Sequence, residues 1–435
     1  MNPSVLLQAT LKVFAAAALL ISAVSVLVGR LTLQSPEEWR AEDVQRDLSA
    51  AWVAYREVFI GPRGQLKRPR DHYDTVAEGQ ANAMVRAVWL DDRETFNLLY
   101  LWTEQNLSRL ARFGDHLLSH KMGPDSAGAY VVVELNAPVD ANLDYALALF
   151  LAHRRWGAQA GHPPALMPYR DKALAVASDI LRKGVIEHPR TRELVLLPWC
   201  RAEMANEPSI LLCPADFSPG HYRLFYNETN DPKWMRLLDS TYAQLSRLLQ
   251  SIDRREGAGL APDWVRMRED GGFQFDGTYG MTSGVESFRL WWRLRLDLHL
   301  AGNAGDPRAR RIIEERLSPF IPRVLGVSPG ILAAKYSYEG RPEAEYENPG
   351  ALGALAWALD EFDGGAASAS MELHNRLVRE YMNKEANSGD IYFGGQKDDY
   401  YINTWAWWGL AQEKWAFPFA SLPPPPPAGI AQGAN

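Results

Sequence analysis

The sequence predicts an all-α protein whose helices form an α/α toroid. Apolar residues recur at helical spacing along the chain, as where Leu238, Tyr242 and Leu245 follow one another by steps of four and three. Loops rich in Gly, Pro and Asp separate such segments, and strand-like runs are short, chiefly residues 130–135 and 272–275. No repeat of fixed period is present, which disfavours a regular solenoid. Periodicity alone does not distinguish a toroid from other helical folds.

Residues 1–33 are predicted to be an export signal or a membrane anchor built on one hydrophobic helix. A nearly uncharged apolar run, residues 13–29, lies between Lys12 and Arg30. The run is long for the core of a signal peptide and slightly short for a full span, so a cleaved signal and an uncleaved anchor both stay open. Either one places the rest of the chain outside the cytoplasm, secreted, periplasmic or anchored in the inner membrane. A buried N-terminal helix of a cytoplasmic protein is the remaining alternative.

Residues 34–416 are predicted to form one large domain. A chain of 435 residues, 47% of them apolar, can bury a full core. The tail, residues 417–435, contains five consecutive prolines and then small residues. Such a segment cannot join a packed helix, so we expect a disordered tail or spacer.

Composition excludes some classes of function. The formal charge is −7, with Lys and Arg scattered, so a nucleic-acid partner is not expected. The 15 Trp, 17 Tyr and 15 Phe offer flat faces that suit sugar rings, although most such residues pack in cores. No CxxC, HExxH or dense His cluster is present, so the sequence does not support a protein-bound zinc site. Cys200 and Cys213 form either a disulfide in an oxidising compartment or two buried thiols.

Three acidic positions are candidates for chemistry on a glycosidic bond, which needs one carboxylic acid and one carboxylate. Glu78 lies between a β-branched run and a helical pattern, in Thr75-Val76-Ala77-Glu78-Gly79-Gln80. Asp140 begins another helical pattern, and Glu286 shares a helix face with Arg289. The alternative readings are helix caps for Glu78 and Asp140, and a surface ion pair for Glu286 and Arg289. Aromatic residues beside Glu286 argue against a wholly exposed face.

Taken in order, the motifs resemble those of family 8 of the glycoside hydrolases, over roughly residues 52–415. The motifs are the Glu78 string, Trp102 to Leu107, Asp140 to Trp156, Phe217-Ser218-Pro219 with Tyr222, Pro262 to Arg266, Arg289 with Trp292-Arg293, and Asp399-Tyr400-Tyr401. Each motif alone is modest, but the ordered set is specific.

The resemblance implies an (α/α)6 barrel and an inverting mechanism without metal or cofactor. It implies that Glu78 is the general acid, that Glu286 is the general base, and that Asp140 holds the sugar at the cleavage subsite. It further implies that substrate is bound by Gln80, Arg289, Tyr222, Tyr400 and Tyr401.

The chain departs from the family pattern at several positions. Glu286 stands where many members have Asp in a Tyr-Asp-Ala-x-Arg string, so Asp263 or Glu269 is an alternative base. The other departures cluster near the expected subsites: Asn82-Ala83 replaces a Tyr-Gly pair, Asn142 replaces a second aspartate, and Ser119-His120 lies where a Trp-containing stretch is usual. The substrate is therefore not fixed as plain cellulose.

We expect an exported, endo-acting β-1,4-glucanase whose partner is a β-linked polysaccharide. An anchor would favour a role in exopolysaccharide production beside a polysaccharide synthase or export complex. Three alternatives stay open. The chain could be a family 8 hydrolase of chitosan, xylan or another β-linked polymer, a non-catalytic glycan-binding scaffold, or a polysaccharide lyase, which would need a Tyr or His base.

Overall fold

The computed structural model describes residues 41–157, 166–204, 207–301, 306–328 and 330–414. The predicted signal or anchor, residues 1–33, and the predicted Pro-rich tail, residues 417–435, lie outside these residues. Residues from Asp47 onward belong to one compact unit, and residues 41–46 are the start of the first helix. Within the described ranges, no helix combines the length and the apolarity that crossing a bilayer requires.

Helices dominate the described chain. In order they are α1 (Ala41–Phe59), α2 (Ala77–Trp89), α3 (Arg93–Asn106), α4 (Leu110–Phe113), α5 (Val139–Trp156), α6 (Tyr169–Asp179), α7 (Pro219–Thr229), α8 (Lys233–Leu248), α9 (Phe288–Ala301), α10 (Pro307–Ile312), α11 (Ser318–Leu325), α12 (Pro349–Leu359), α13 (Gly365–Arg376) and α14 (Tyr400–Lys414). Single π-helical turns extend α6, α10 and α13.

Inner and outer helices alternate along the described chain. The inner helices are buried on nearly every face, and they are α2, α5, α7, α9, α12 and α14. Outer helices bury only one stripe; in α8 the buried residues include Leu237, Leu238, Tyr242 and Leu245, and the opposite face is exposed. This alternation is the (α/α)6 barrel, so the predicted fold class is confirmed.

Helix α14, the last helix of the described chain, packs against α1 and α2 and thereby closes the ring. The Trp407 indole N–H donates to the carbonyl of Leu48 at 3.0 Å. The Arg86 guanidinium of α2 lies over the rings of Trp52, Tyr55 and Trp407, at 5.2, 4.7 and 4.3 Å from their centroids. Each such cation–π contact contributes about 0.5–2 kcal/mol when it is desolvated. Helices α1, α2 and α14 are therefore joined around one buried cation.

The strands are short and lie in the loops. They are β1 (Thr75–Val76), β2 (Lys121–Pro124), β3 (Tyr130–Glu134), β4 (Val185–Glu187), β5 (Leu194–Leu196), β6 (Ile210–Leu212), β7 (Ser251–Ile252), β8 (Arg255–Glu256), β9 (Val265–Met267), β10 (Phe273–Gln274), β11 (Thr282–Ser283), β12 (Tyr336–Ser337), β13 (Met382–Lys384) and β14 (Ile391–Phe393). The strand-like runs predicted at 130–135 and 272–275 correspond to β3 and β10. The antiparallel sheet β1-β2-β3 matters most, because it leads directly into α2.

The two cysteines are separate buried thiols. Cys200 and Cys213 form no disulfide with each other, so the structure takes the second of the two predicted alternatives. Burial raises the pKa of the Cys200 thiol to about 12. A thiol with so high a pKa stays protonated and is a poor nucleophile.

Candidate active site

A long cleft lies at the N-terminal ends of the inner helices. Its central cavity has a volume of about 250 Å³ and shares four lining residues with a neighbouring cavity of about 530 Å³, namely Arg68, Glu286, Tyr400 and Tyr401. Trp199 lines both the central cavity and a third one, of about 150 Å³. Cavities in series suit a polymer chain better than a small ligand.

The acidic residues of the cleft lie where helices begin. Glu78 is in the first turn of α2, Asp140 is in the first turn of α5, and Glu286 lies two residues before the start of α9. The free backbone N–H groups and the helix dipole favour negative charge at such ends. Each carboxyl therefore lies at a helix start, where a capping residue would also fit. These same positions bring the three carboxyls into one cleft.

The Glu78 side chain is about three-quarters buried and has few polar partners. Its Oε1 lies 3.5 Å from the His120 Nε2, while its Oε2 is buried without a partner among the described residues. Burial raises the pKa of Glu78 to about 6, against the opposing effect of His120 and with a further contribution from the Asp140 carboxylate. A carboxyl with this pKa keeps its proton in mildly acidic solution, as a proton donor must.

The two residues that follow Glu78 are structural. A Cβ on Gly79 would lie 2.7 Å from the Leu66 side chain, so only glycine allows this approach without displacing Leu66. The Gln80 side chain accepts from the Leu66 N–H at 2.5 Å and donates to Thr103 Oγ1 at 2.7 Å. Gln80 has no exposed surface and does not line the cleft. The prediction that Gln80 contacts substrate is therefore wrong. Its amide group instead forms hydrogen bonds that hold the loop carrying Arg68.

Arg289 joins three carboxyl groups on one side of the cleft. Its guanidinium donates to Asp140 at 2.9 Å, to Glu286 at 2.5 Å and to Asp216 at 3.4 Å. Burial raises the pKa of Glu286, and Arg289 opposes that rise. Burial and the nearby Asp140 raise the pKa of Asp216 well above its usual range, which favours a protonated Asp216. Arg289 is thus paired with both Asp140 and Glu286, and its charge favours the ionised form of Glu286 against the effect of burial.

Asp263 and Glu269, the alternative bases, do not line the cleft. One oxygen of Asp263 accepts the backbone N–H groups of Gly284 and Ser287, both at 2.9 Å, and of Glu286 at 3.3 Å. Asp263 therefore fixes the loop that presents Glu286. Glu269 is exposed in the turn between β9 and β10.

The three predicted tyrosines differ in their placement. Tyr400 and Tyr401 line both larger cavities, and the Tyr401 hydroxyl donates to the carbonyl of Val285 at 2.9 Å. Tyr222 is fully buried outside the cleft, where its hydroxyl accepts the Ser218 N–H at 3.0 Å. The prediction of substrate contact is therefore wrong for Tyr222, which has no exposed surface.

A buried polar network supports the floor of the cleft. Asp144 accepts from Arg293 at 3.0 and 3.1 Å and from the His221 Nε2 at 2.8 Å. The other His221 nitrogen bonds the Ser218 hydroxyl. Burial alone would raise the pKa of Asp144, but Arg293 and His221 outweigh it and lower that pKa to about 2. Ser218, His221 and Arg293 have no exposed surface, so this Ser-His-Asp set is structural.

Sequence reasoning did not assign several cleft residues. His120 and Asp216 both line the central cavity, beside Glu78 and Arg289 respectively. Three aromatic rings stack at its edge: Trp199 and Trp264 lie 5.5 Å apart, and Trp264 and Tyr279 lie 4.8 Å apart. Asp216 directly precedes the Phe217-Ser218-Pro219 motif, and this adjacency was the available signal. Nothing local marked Trp199.

The sequence also matches a known protein family. Residues 39–322 match the model described as glycosyl hydrolases family 8. The chain belongs to this family. Among its family 8 relatives, endoglucanase 2 of Ruminiclostridium josui is 27% identical over 272 residues, which are 59% of this chain and 51% of that protein. The match thus spans about half the length of this relative and of endoglucanase C of Ruminiclostridium cellulolyticum.

Solved structures share the fold of this family 8 chain. The endo-1,4-D-glucanase from Vibrio fischeri ES114 is 19% identical, with a TM-score of 0.65 over 84% of this chain and 94% of that one. The β-1,3-1,4-glucanase from Paenibacillus sp. X4 is 17% identical, with a TM-score of 0.67 over 88% and 95%. At these identities the likeness establishes the barrel alone.

Proposed function

We propose that this protein hydrolyses β-1,4-linked glucan chains internally, with inversion at the anomeric carbon. The observation that carries the proposal is the contrast between two carboxyls in one cleft. Burial raises the pKa of Glu78 to about 6, whereas Glu286 is paired with the Arg289 guanidinium, which opposes the rise that burial causes there. Two carboxyls with such different surroundings suit the acid and base roles of glycoside hydrolysis.

In the proposed reaction, Glu78 gives its proton to the glycosidic oxygen. The bond between that oxygen and the anomeric carbon breaks, and the oxygen keeps the electron pair. Glu286 removes a proton from the water whose oxygen bonds to the anomeric carbon from the opposite face, which inverts the configuration. Asp140, fixed by Arg289 at 2.9 Å, accepts a hydrogen bond from a hydroxyl of the sugar.

A glucan chain is the proposed substrate class for two reasons. Several relatives of this chain are named endoglucanases. The Trp199-Trp264-Tyr279 stack also offers apolar faces along the cleft, where the faces of pyranose rings can pack. One further group is free to select the sugar, because the buried Asn82 Oδ1 has no partner in the described chain and lies on the cleft wall.

Release of reducing ends by the full-length protein tests the proposal. The substrates are carboxymethyl cellulose, mixed-linkage glucan, xylan and chitosan, and the variants are Glu78→Gln and Glu286→Gln. The control is Glu269→Gln, which removes an exposed carboxyl outside the cleft. We expect each cleft variant to lose about 10²- to 10⁴-fold in kcat on the glucans, and the control to lose none.

Each other outcome overturns part of the proposal. Full activity of Glu286→Gln would move the base to another group, and preference for xylan or chitosan would change the substrate class. Glycan binding by the folded protein without cleavage of any polymer would support a scaffold role instead. A product absorbing in the near ultraviolet would indicate a lyase.

We also propose that the protein is exported and held at the inner membrane by residues 13–29. The support is the apolar run between Lys12 and Arg30. Such a position would place the enzyme beside a polysaccharide synthase or export complex as its partner. Cell fractionation and N-terminal sequencing test this: a membrane-bound chain with an intact N-terminus is expected, a shortened soluble periplasmic chain would indicate a signal peptide, and a cytoplasmic chain would refute export.

A further inference from the structure

Three titratable side chains form a line from the interior of the cleft to its rim. The His120 Nδ1 bonds Glu134 Oε2 at 2.6 Å, and its Nε2 lies 3.5 Å from Glu78 Oε1. The second separation is that of an ion pair rather than of a short hydrogen bond. Glu134 is 42% exposed at its side chain, whereas Glu78 and His120 are about one-quarter exposed.

The backbone fixes this line. His120 lies between α4 and β2, and its carbonyl accepts the N–H of Ala77, the residue before Glu78, at 2.8 Å. Glu134 is the last residue of β3, where it pairs with Lys121 of β2. Since β2 joins both β1 and β3, the sheet places the imidazole between the two carboxyls without help from a flexible loop.

The charges around the line favour an imidazolium. Burial lowers the pKa of His120, but Glu78, Glu134 and Asp140 outweigh burial, and its net pKa is raised. The charged or titratable groups near Glu78 or Glu134 on the surrounding elements are Lys121, Asp140, Arg289 and Tyr400. Lys121 lies 3.5 Å from Glu134 and competes with His120 for that carboxylate.

We propose that His120, oriented by Glu134, is a positioning residue for Glu78 in the reaction proposed above. The imidazolium faces Glu78 Oε1 at 3.5 Å, and because Oε2 is buried without a partner among the described residues, this charge orients the carboxyl that gives its proton to the leaving group. When Glu78 loses this proton, the resulting carboxylate faces a cation already in place, and His120 itself neither gains nor loses a proton. The proposal therefore rests on Glu78 being the general acid.

Two substrates separate this role from a structural one. A polysaccharide leaving group needs protonation, whereas 2,4-dinitrophenolate leaves a β-cellobioside without it. In the full-length protein, we expect His120→Gln to reduce kcat/KM on carboxymethyl cellulose about tenfold while leaving the aryl cellobioside rate unchanged. An opposite charge nearby typically lowers a carboxyl pKa, so removing it should also move the alkaline limb of the polysaccharide profile upward by about one pH unit.

A substitution of Glu134 provides a second test. Glu134→Gln should lower kcat/KM on carboxymethyl cellulose and raise the alkaline limb, each by a smaller amount than His120→Gln does. Adding Glu134→Gln to His120→Gln should cause no further change, because Glu134 acts through His120. Glu372→Gln is the matched control, since it removes an exposed ion-paired carboxyl on α13. Thermal unfolding of each variant confirms that the fold is kept.

The outcomes distinguish this inference from the proposed function. If Glu78→Gln is inactive on polysaccharide, two results for His120→Gln would refute the role of His120. One is an equal loss of rate on both substrates, and the other is an alkaline limb that does not move. Retained polysaccharide activity of Glu78→Gln would refute the acid assignment and the role of His120 together.

Discussion

The raised pKa of Glu78 predicts where activity is lost as the pH rises. The shift from 4.5 to about 6 corresponds to about 2 kcal/mol against ionisation. Under the proposed mechanism only the protonated form reacts, so kcat/KM should fall to about one-tenth of its plateau at pH 7 and about one-hundredth at pH 8. An ordinary glutamic acid would be protonated about thirtyfold less at pH 7. The enclosure of Glu78 thus extends activity toward neutral pH.

The acidic side depends on Glu286, which must be ionised. Because burial raises its pKa as well, activity should also decline below a pH somewhat above the usual glutamate range, giving a bell with its maximum in mildly acidic solution. The assay is kcat/KM on carboxymethyl cellulose between pH 4 and pH 9, with unfolding monitored at each pH. An alkaline limb at pH 4.5, or activity still rising at pH 8, would refute the assignment of Glu78 as an enclosed acid.

Three further substitutions test other parts of the site. Arg289→Lys cannot reach Asp140, Asp216 and Glu286 together, so kcat should fall about 10²-fold and the acidic limb should move upward; an unchanged limb would contradict the pairing. Asp144→Asn leaves Arg293 buried without a counter-charge and should cost about 3–5 kcal/mol in urea unfolding, and a cost under about 1 kcal/mol would be inconsistent with this network. The folded-state pKa of Asp144 is depressed, so its contribution to wild-type stability is present above pH 4 and is lost as the pH falls through about 2. Trp264→Ala removes the middle ring of the stack and should raise KM for long glucans up to about tenfold, with little change for short oligomers; an equal effect on both would argue against a stacking platform.

Helix geometry explains which site residues the sequence could locate. Successive helical residues point about 100° apart, so residues four apart share a face and residues two apart point to nearly opposite ones. Accordingly Asn82 joins Glu78 on the cleft, whereas Gln80 faces the outer loop. In α5, Asp140 and Asp144 likewise reach the cleft, and Asn142 instead accepts the Leu118 N–H. The order of residues in a motif does not show by itself which of them face the cleft.

The remaining cleft residues come from segments whose placement depends on distant partners. His120 reaches Glu78 because β2 pairs with both β1 and β3, and such pairing leaves little trace in the residues themselves. Trp199 reaches Trp264 across more than sixty positions of loop and helix, without a periodic pattern that would signal it. The helices, by contrast, follow from local spacing, whereas their arrangement as a barrel was predicted from the ordered family 8 motifs and not from that spacing.

The closure of the ring by α14 has a consequence for the timing of activity during synthesis. This helix supplies Tyr400 and Tyr401 to the cleft and joins Tyr55 to Thr404, a contact that spans 349 positions of the chain. Contacts of such long range form late, because the intervening chain must be present and folded before they hold. A nascent chain that has not yet reached Tyr400 therefore has Glu78, Glu286 and most of its barrel, but lacks one wall of the cleft. Under the proposed mechanism, we expect cleavage of glucan to begin only after α14 has docked.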